Sequence, residues 1–198
     1  MDREALIEKH RQINVDHGWW GAIFDMFRDV CTTIGIDLDT NEPAFCGFHS
    51  QGDGASFTGV YRAYYTTYNG VPRDLHSEEA PAKLREEYPQ ETELHRIADE
   101  LCVLSRIYFP VHAYIRRHQT PQTSYVNSNT MTGMVEPMAG DPDDWAGEVY
   151  GQVEQTFFRL MRDLADWLYA RIEQEYEYLT SDEAVWEAIE ANELNTEE

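Results

Sequence analysis

Apolar and polar residues alternate most regularly in the stretch 45–65, with the two-residue period of a β-strand. Phe57 and Tyr61 fall on one side of this predicted strand, and Thr58 falls on the other. Residues 50–54, Ser-Gln-Gly-Asp-Gly, interrupt the stretch. Asp-Gly between β-prone runs favours a turn, because glycine adopts a positive φ without a Cβ clash. We therefore predict a β-hairpin over 45–65 at the centre of a small antiparallel sheet.

Elsewhere, apolar residues recur at steps of three and four, as they do on one face of an α-helix. This periodicity predicts helices over residues 17–34, 91–108 and 143–178. We further predict a short charged helix over 2–13, one or two helical turns over 81–87, and a helix over 181–191 that begins with a Ser or Thr N-cap followed by acidic residues. Two-residue alternation predicts further strands over 36–38, 111–117 and 131–138. The longest of the helices would extend on the order of 50 Å along its axis.

These elements predict an α+β fold, in which helices cover a small antiparallel sheet and a long C-terminal helix closes the structure. The sheet would combine the 45–65 hairpin with the strands near 111–117 and 131–138. At 198 residues the chain is long enough for one ordinary core, so we expect a single domain over 1–198. Within it, residues 1–15 would form a peripheral helix and residues 193–198 a frayed tail.

The net charge of the chain limits the kinds of molecule that the protein is expected to bind. It has 37 acidic and 15 basic residues, for a net charge of −22, and residues 141–198 alone hold seventeen acidic against three basic residues. Phosphate contacts need a basic surface, so we expect no direct nucleic-acid binding. An acidic surface favours a basic protein partner, which itself can be a nucleic-acid-binding protein. Solubility or adaptation to high salt explains the same acidity, and that alternative stays open.

Other features of the sequence indicate a cytoplasmic protein without a membrane span. No apolar run approaches the ~18 residues that a membrane span needs. The charged N-terminus lacks the apolar segment of a signal peptide. The cysteines Cys31, Cys46 and Cys102 are scattered through apolar surroundings, which favours reduced, buried thiols. We expect the protein in the cytoplasm of a host cell.

Residues 47–59, GFHSQGDGASFTG, resemble the GFxSQGDGAxFxG block of a family of bacteriophage and prophage proteins. Residues 175–185 and the pair Trp19-Trp20 are similar to that family as well, whereas residues 68–90 and 118–144 depart from its pattern. Members of the family are commonly labelled as the antitoxin of a toxin–antitoxin stability system. The resemblance therefore implies a protein that acts on another protein by binding it.

Residues 50–55, which we call the SQGDGA loop, are the first candidate site. Ser50, Gln51 and Asp53 offer polar contacts at the end of a rigid sheet, which suits a partner-binding loop. His49 and Asp53 would make a metal or acid–base pair, but no motif with the spacing of metal ligands accompanies them. A structural hairpin turn explains the same residues. We expect no catalytic residue, no metal and no cofactor.

The predicted C-terminal helices are the second candidate site. Their carboxylates would form an acidic surface that resembles a sparse phosphate backbone, with one charge per roughly 5–6 Å against ~3.4 Å for one DNA strand. An ordinary solvated helix face explains them equally. The carboxylates expected to bind a partner are Glu148, Glu154, Asp163, Asp166, Glu173 and Glu177, and the same surface would include Glu175, Asp182, Glu183, Glu187 and Glu190.

The leading hypothesis is a non-enzymatic, phage-type acidic protein that neutralises a host or element-encoded protein by stoichiometric binding. The target would be a toxin or an anti-phage defence protein, such as a restriction or CRISPR complex. One alternative is a small-molecule-binding or hydrolytic domain that uses the SQGDGA loop. Another is a dimerising structural protein whose long helix pairs with a second copy.

Overall fold

The computed structural model describes residues 2–194 except 49, 51, 63, 64, 69, 70, 108–110, 119–125 and 138–146. Within this part of the chain there are six α-helices, eight β-strands and a short 3-10 helix at Ser128–Thr130. The α-helices are α1 (Arg3–Lys9), α2 (Gly21–Thr33), α3 (Leu75–Glu87), α4 (Thr92–Ile107), α5 (Gly147–Leu179) and α6 (Asp182–Ala191). The strands are β1 (Ile36–Leu38), β2 (Ala44–Cys46), β3 (Gly54–Ser56), β4 (Gly59–Arg62), β5 (Tyr65–Tyr68), β6 (Val71–Asp74), β7 (Val111–Arg117) and β8 (Met131–Pro137).

The predicted α+β class, with a small antiparallel sheet and a long C-terminal helix, is confirmed. The main sheet has four strands in the order β1-β4-β7-β8, and each neighbouring pair is antiparallel. The strands predicted over 36–38, 111–117 and 131–138 are β1, β7 and β8. The start predicted for the long helix, at 143, lies outside the described residues. In the part of the chain that the structure describes, α5 begins at Gly147.

The predicted 45–65 hairpin is divided among three sheets, the last of which pairs β5, beginning at Tyr65, with β6. Strands β2 and β3 pair only with each other, in a register that places Cys46 opposite Gly54. Strand β4 instead joins the main sheet between β1 and β7. Ser56, the last residue of β3, and Phe57, which follows it, are both completely buried. Because the segment is enclosed on both sides there, the simple alternation that predicts one continuous strand does not hold.

The main sheet buries one of its faces. Tyr61, Ala113 and Val135 point inward and are buried. The Tyr61 ring packs 5.2 Å from the ring of Phe157 on α5, and its hydroxyl lies 2.7 Å from the Ser105 hydroxyl on α4. Helices α4 and α5 therefore cover the inner face, as expected for an antiparallel sheet with one apolar side.

Contacts within the chain define two compact units, which are Met26–Tyr169 and the combination of Met1–Asp25 with Ala170–Glu198. The first unit contains all the described strands. In the second, which we call the terminal unit, α1 packs against α6. The buried residues that join these two helices are Leu6, Ile7, Val185 and Ile189. The prediction of a single domain over 1–198 stays a prediction.

Two further observations concern the described residues. None of their helices combines the length and the apolar character that a membrane crossing requires. The three cysteines are free thiols, as predicted, with Cys31 and Cys102 buried and Cys46 half-buried. Burial raises the pKa of the Cys31 thiol well above its ordinary value.

Candidate functional site

The SQGDGA loop uses its own polar groups to close a turn. The Asp53 carboxylate accepts a hydrogen bond from the Ser50 backbone N–H at 2.5 Å and one from the Ser50 hydroxyl at 2.8 Å. Gly47 lies beside this carboxylate with a φ of +61°, and a Cβ there would meet Asp53 Oδ1 at 2.1 Å. The turn therefore needs a short hydrogen-bond acceptor at Asp53. It also needs a residue without a Cβ at Gly47.

Side chains behind the loop fix it to the rest of the Met26–Tyr169 unit. The Asn127 amide donates a hydrogen bond to the Gly52 carbonyl at 2.8 Å, and the Val126 N–H approaches Cys46 Sγ at 3.3 Å. A Cβ on Gly54 would come within 2.7 Å of the Asn127 Cβ. This close approach explains a second glycine of the motif, so several residues of the resemblance have structural roles.

Two of the loop residues singled out in the sequence, His49 and Gln51, lie outside the described residues. Ser50 and Asp53 are brought together, and they contact each other. Among the residues that the structure describes, no group of three or more His, Cys, Asp or Glu side chains is placed to hold a metal ion. Ser50 and Asp53 offer hydrogen-bonding atoms at the surface of the loop.

Asp163 on α5, one of the expected partner contacts, lies in a network of opposite charges. Arg96 on α4 approaches its carboxylate at 2.5 Å, and Arg159 approaches it at 3.2 Å. Arg96 also pairs with Glu93 and Glu100, each at 2.5 Å. Part of the expected acidic surface is therefore neutralised within the protein, which argues against Asp163 as a partner contact.

The same network shifts the pKa values of its members. The hydrogen bond from Arg96 lowers the pKa of Glu93 below its ordinary value. Burial alone would raise the pKa of Glu100, but hydrogen bonds from Arg159 and Arg96 outweigh it and the net shift is downward. The pKa of Arg96 is raised, chiefly by its hydrogen bond to Glu93. The arginines thus hold these carboxylates in the charged form.

The other expected contacts on α5 have differing surroundings. Glu154 is half-buried, and of Glu148 only the backbone is described, in the first turn of the helix. The residue Asp166 is exposed as a whole, yet partial burial of its carboxyl raises the pKa. Its interaction with Ser128 acts against that shift, and the charge of Asp163 adds to it. Asp166 is therefore more easily protonated than an ordinary surface aspartate.

The terminal unit has the higher density of negative charge. Its two sequence ranges contain fifteen acidic and four basic residues, so it has half of the net charge of −22 on little more than a quarter of the chain. Glu173 is half-buried near the end of α5, and Glu177 is exposed. Asp182 pairs with Arg11. Within the described residues, Glu177 makes no ion pair.

Three exposed glutamates follow one face of α6. Glu183, Glu187 and Glu190 are separated by four and three residues, so they lie one above another on the helix. We call these three residues the carboxylate stripe. In the described part of the chain, none of them forms an ion pair. The stripe is therefore an unneutralised row of charge on a rigid element.

A shallow groove, open to solvent, lies beside the carboxylate stripe and has a volume of about 320 Å³. We call it the α6 groove. It is lined by Asn14, Tyr178, Leu179, Ala184, Glu187, Ala188 and Ala191. Tyr178 is the most conspicuous of these, because 61% of this large side chain is exposed. The three alanines are also separated by four and three residues, so they form the helix side of the groove.

The acidic residues of the stripe are expected from the sequence, whereas the groove is not. The available signal is the dipeptide Glu-Ala, which occurs at 183–184, 187–188 and 190–191. This repeat places a charged row and a small-residue row next to each other, about 100° apart around the helix. The walls provided by Asn14 and Tyr178 follow only from the packing of the terminal unit.

The fold and these surfaces define a class of protein, namely an α+β protein with a small antiparallel sheet and an acidic helical surface. Residues 19–182 match the model of a family described as a domain of unknown function, DUF8835. The chain belongs to this family. No curated protein matches the chain, and no solved structure matches it. The resemblance to the phage and prophage family stays a prediction.

Proposed function

We propose that this protein is a phage-type, non-enzymatic inhibitor that neutralises a basic host or element-encoded protein by stoichiometric binding in the host cytoplasm. The observation that carries the proposal is the carboxylate stripe, Glu183, Glu187 and Glu190, in a unit whose two ranges hold fifteen acidic and four basic residues. Unpaired carboxylates on a rigid helix attract cationic surfaces over a distance of about a Debye length, or ~8–10 Å at moderate salt. The same charge repels phosphate.

The class of target comes from the SQGDGA resemblance. Proteins with that block are labelled as antitoxins, and a toxin or anti-phage defence protein that contacts nucleic acid would need a basic surface for the phosphates. The stripe spaces its charges by three or four residues, which is ~4.5–6 Å along the helix axis. Its charges are therefore less dense along the axis than those of one DNA strand, at ~3.4 Å. Mimicry of nucleic acid would be partial.

The loop itself supports a role in the scaffold. Both oxygens of Asp53 accept hydrogen bonds from the Ser50 hydroxyl, and Gly52 is bound by Asn127. These contacts hold the turn in one conformation.

Affinity capture of the full chain from a host lysate tests the proposal. We expect one basic protein to co-purify in a fixed molar ratio. Replacing Glu183 and Glu190 by glutamine should weaken that complex about three- to tenfold, because two rim charges are lost. The matched control replaces Glu79 and Glu86, which are exposed on α3 with the same seven-residue separation, and should leave the affinity nearly unchanged.

Two results would contradict the proposal. One is the absence of any host protein bound in stoichiometric amount. The other is a complex that tolerates the Glu183→Gln and Glu190→Gln double variant as well as it tolerates the control. A melting shift induced by a small molecule and abolished by Asp53→Ala would instead favour the hydrolytic or ligand-binding alternative.

A further inference from the structure

We propose that the α6 groove receives an arginine side chain from a basic helix of the partner protein. The inference rests on the proposed function and makes its site specific. It starts from the shape of the groove, whose volume of about 320 Å³ falls at the small end of the range of ligand-binding pockets. A side chain, rather than a whole helix, fits a recess of that size.

The lining of the groove matches the two parts of an arginine. Ala188 and Ala191 offer an accessible apolar surface to the methylene stem, and the buried Ala184 closes the end of that surface. Glu187 at the rim offers a carboxylate, which a guanidinium binds through two parallel hydrogen bonds. Tyr178 offers an exposed ring on which the same planar group can stack. Lysine can use the stem surface and the charge but lacks the planar fork.

The C-terminal end of α5 beside the groove adds negative potential independently of the stripe. Tyr178 and Leu179 form the C-terminal end of α5, where the helix dipole is negative and favours a cation. Among the described residues, the last turns of α5 and α6 contain no basic residue. Asn14 donates to the Leu179 carbonyl and Arg11 to the Thr180 carbonyl, each at 3.1 Å. Asn14 brings no charge to the groove, and the positive charge that Arg11 brings to the end of α5 is offset by its ion pair with Asp182.

A second copy of this chain is a poorer occupant. Small residues at four- and three-residue steps permit close approach of two helices, and a symmetric pair would use the same face twice. The carboxylate stripe would then face its own copy across the interface. Like charges at that distance destabilise the contact, so the groove favours a cationic partner.

The test uses the full chain and two fluorescent helical peptides of equal charge, one with arginine and one with lysine at positions i, i+4 and i+7 of an alanine-rich sequence. Fluorescence anisotropy at low salt gives each affinity. We expect the arginine peptide to bind about three- to tenfold more tightly than the lysine peptide.

Ala188→Leu fills the groove without changing charge and should weaken arginine-peptide binding about tenfold. Glu187→Gln should weaken it about three- to tenfold.

Matched controls separate the groove from general attraction. Ala170→Leu adds the same bulk at an exposed position of α5, and Glu86→Gln removes the same charge from α3. Both should leave the affinity within about twofold of the unmodified chain. Ala191→Leu is a second groove variant at an exposed position, to be used if circular dichroism shows that Ala188→Leu does not fold.

Equal binding of the arginine peptide to the Ala188→Leu and Ala170→Leu proteins would overturn the inference, as would equal affinities for the two peptides or no binding at all. If capture of a basic host protein still succeeds and still depends on Glu183 and Glu190, the proposed function stands without the groove. A change from dimer to monomer in the Ala188→Leu protein, measured by light scattering, would assign the groove to self-association and also overturn the inference.

Discussion

Gly133 on β8 lies directly against the Phe158 ring of α5. A Cβ at this position would be 1.8 Å from the Tyr114 carbonyl oxygen and 2.6 Å from the Phe158 ring. The carbonyl belongs to the paired strand β7, where Ile115 is opposite Gly133, so it cannot move without disturbing the ladder. The absence of a side chain at one residue therefore sets how closely a helix packs on this part of the sheet.

We predict that Gly133→Ala lowers the free energy of unfolding by about 2–3 kcal/mol, because overpacking must be relieved by backbone movement. Gly151→Ala is the matched control, since a Cβ there meets nothing within 4 Å. It should raise the free energy of unfolding by about 0.5–1 kcal/mol, because alanine is the better helix former in α5. Urea denaturation measures both. A Gly133→Ala protein as stable as the unmodified one would contradict the steric argument.

At the scale of elements, helices α4 and α5 are joined by charge as well as by apolar packing. Arg96 bonds to Glu93 and Glu100 within α4 and reaches Asp163 on α5. Arg159 on α5 returns to Glu100. Each of these side chains is partly exposed, so every pair alone contributes little, but a shared arginine is ordered once for several contacts.

Replacing Arg96 by methionine should lower stability by about 1 kcal/mol near neutral pH. Because the fold lowers the pKa of Glu93 and Glu100, their contribution is present above the ordinary value of 4.5 and is lost as pH falls through the lowered values. The difference between the two proteins should therefore shrink below about pH 4. Urea midpoints measured from pH 7 to pH 3 test this.

The control for charge alone is Lys9→Met, at an exposed position in the last turn of α1. Its effect on stability should stay below about 0.5 kcal/mol, because no carboxylate within the described residues pairs with this lysine. An Arg96→Met difference that grows on acidification would show that the network does not hold these carboxylates in their charged form.

At the scale of the whole molecule, the net charge of −22 acts at a distance that single ion pairs do not reach. Half of it belongs to the terminal unit, where few basic residues oppose it. A concentrated field of one sign raises the rate at which oppositely charged proteins meet, and dissolved salt screens it.

The association rate with a basic partner should therefore fall about tenfold or more as salt rises from about 0.02 M to 0.3 M, while the dissociation rate changes little. Stopped-flow fluorescence measures both rates. The double variant Glu183→Gln and Glu190→Gln should show a flatter dependence on salt than the Glu79→Gln and Glu86→Gln control. An association rate that does not respond to salt would contradict electrostatic steering.

The sequence alone determined the features that depend on neighbouring residues. Alternation located β7 and β8, because side chains of a strand point to opposite faces at each step. Helical periodicity located α4, and a Ser or Thr followed by acidic residues located the start of α6, where the Ser181 hydroxyl accepts a hydrogen bond from the Ala184 N–H at 3.2 Å. The repeated Glu-Ala dipeptides fixed the carboxylate stripe for the same local reason.

The tertiary structure decided what depends on residues far apart in the chain. Asp163 appears free in the sequence, but Arg96 neutralises it from 67 residues away. The predicted hairpin divides at Ser56 because packing encloses the chain there on both sides. The α6 groove exists only because Asn14, from the N-terminal part of the chain, is brought beside Tyr178 and the alanines of α6. Local periodicity contains no information on such encounters, since they are set by which surfaces the folded chain buries together.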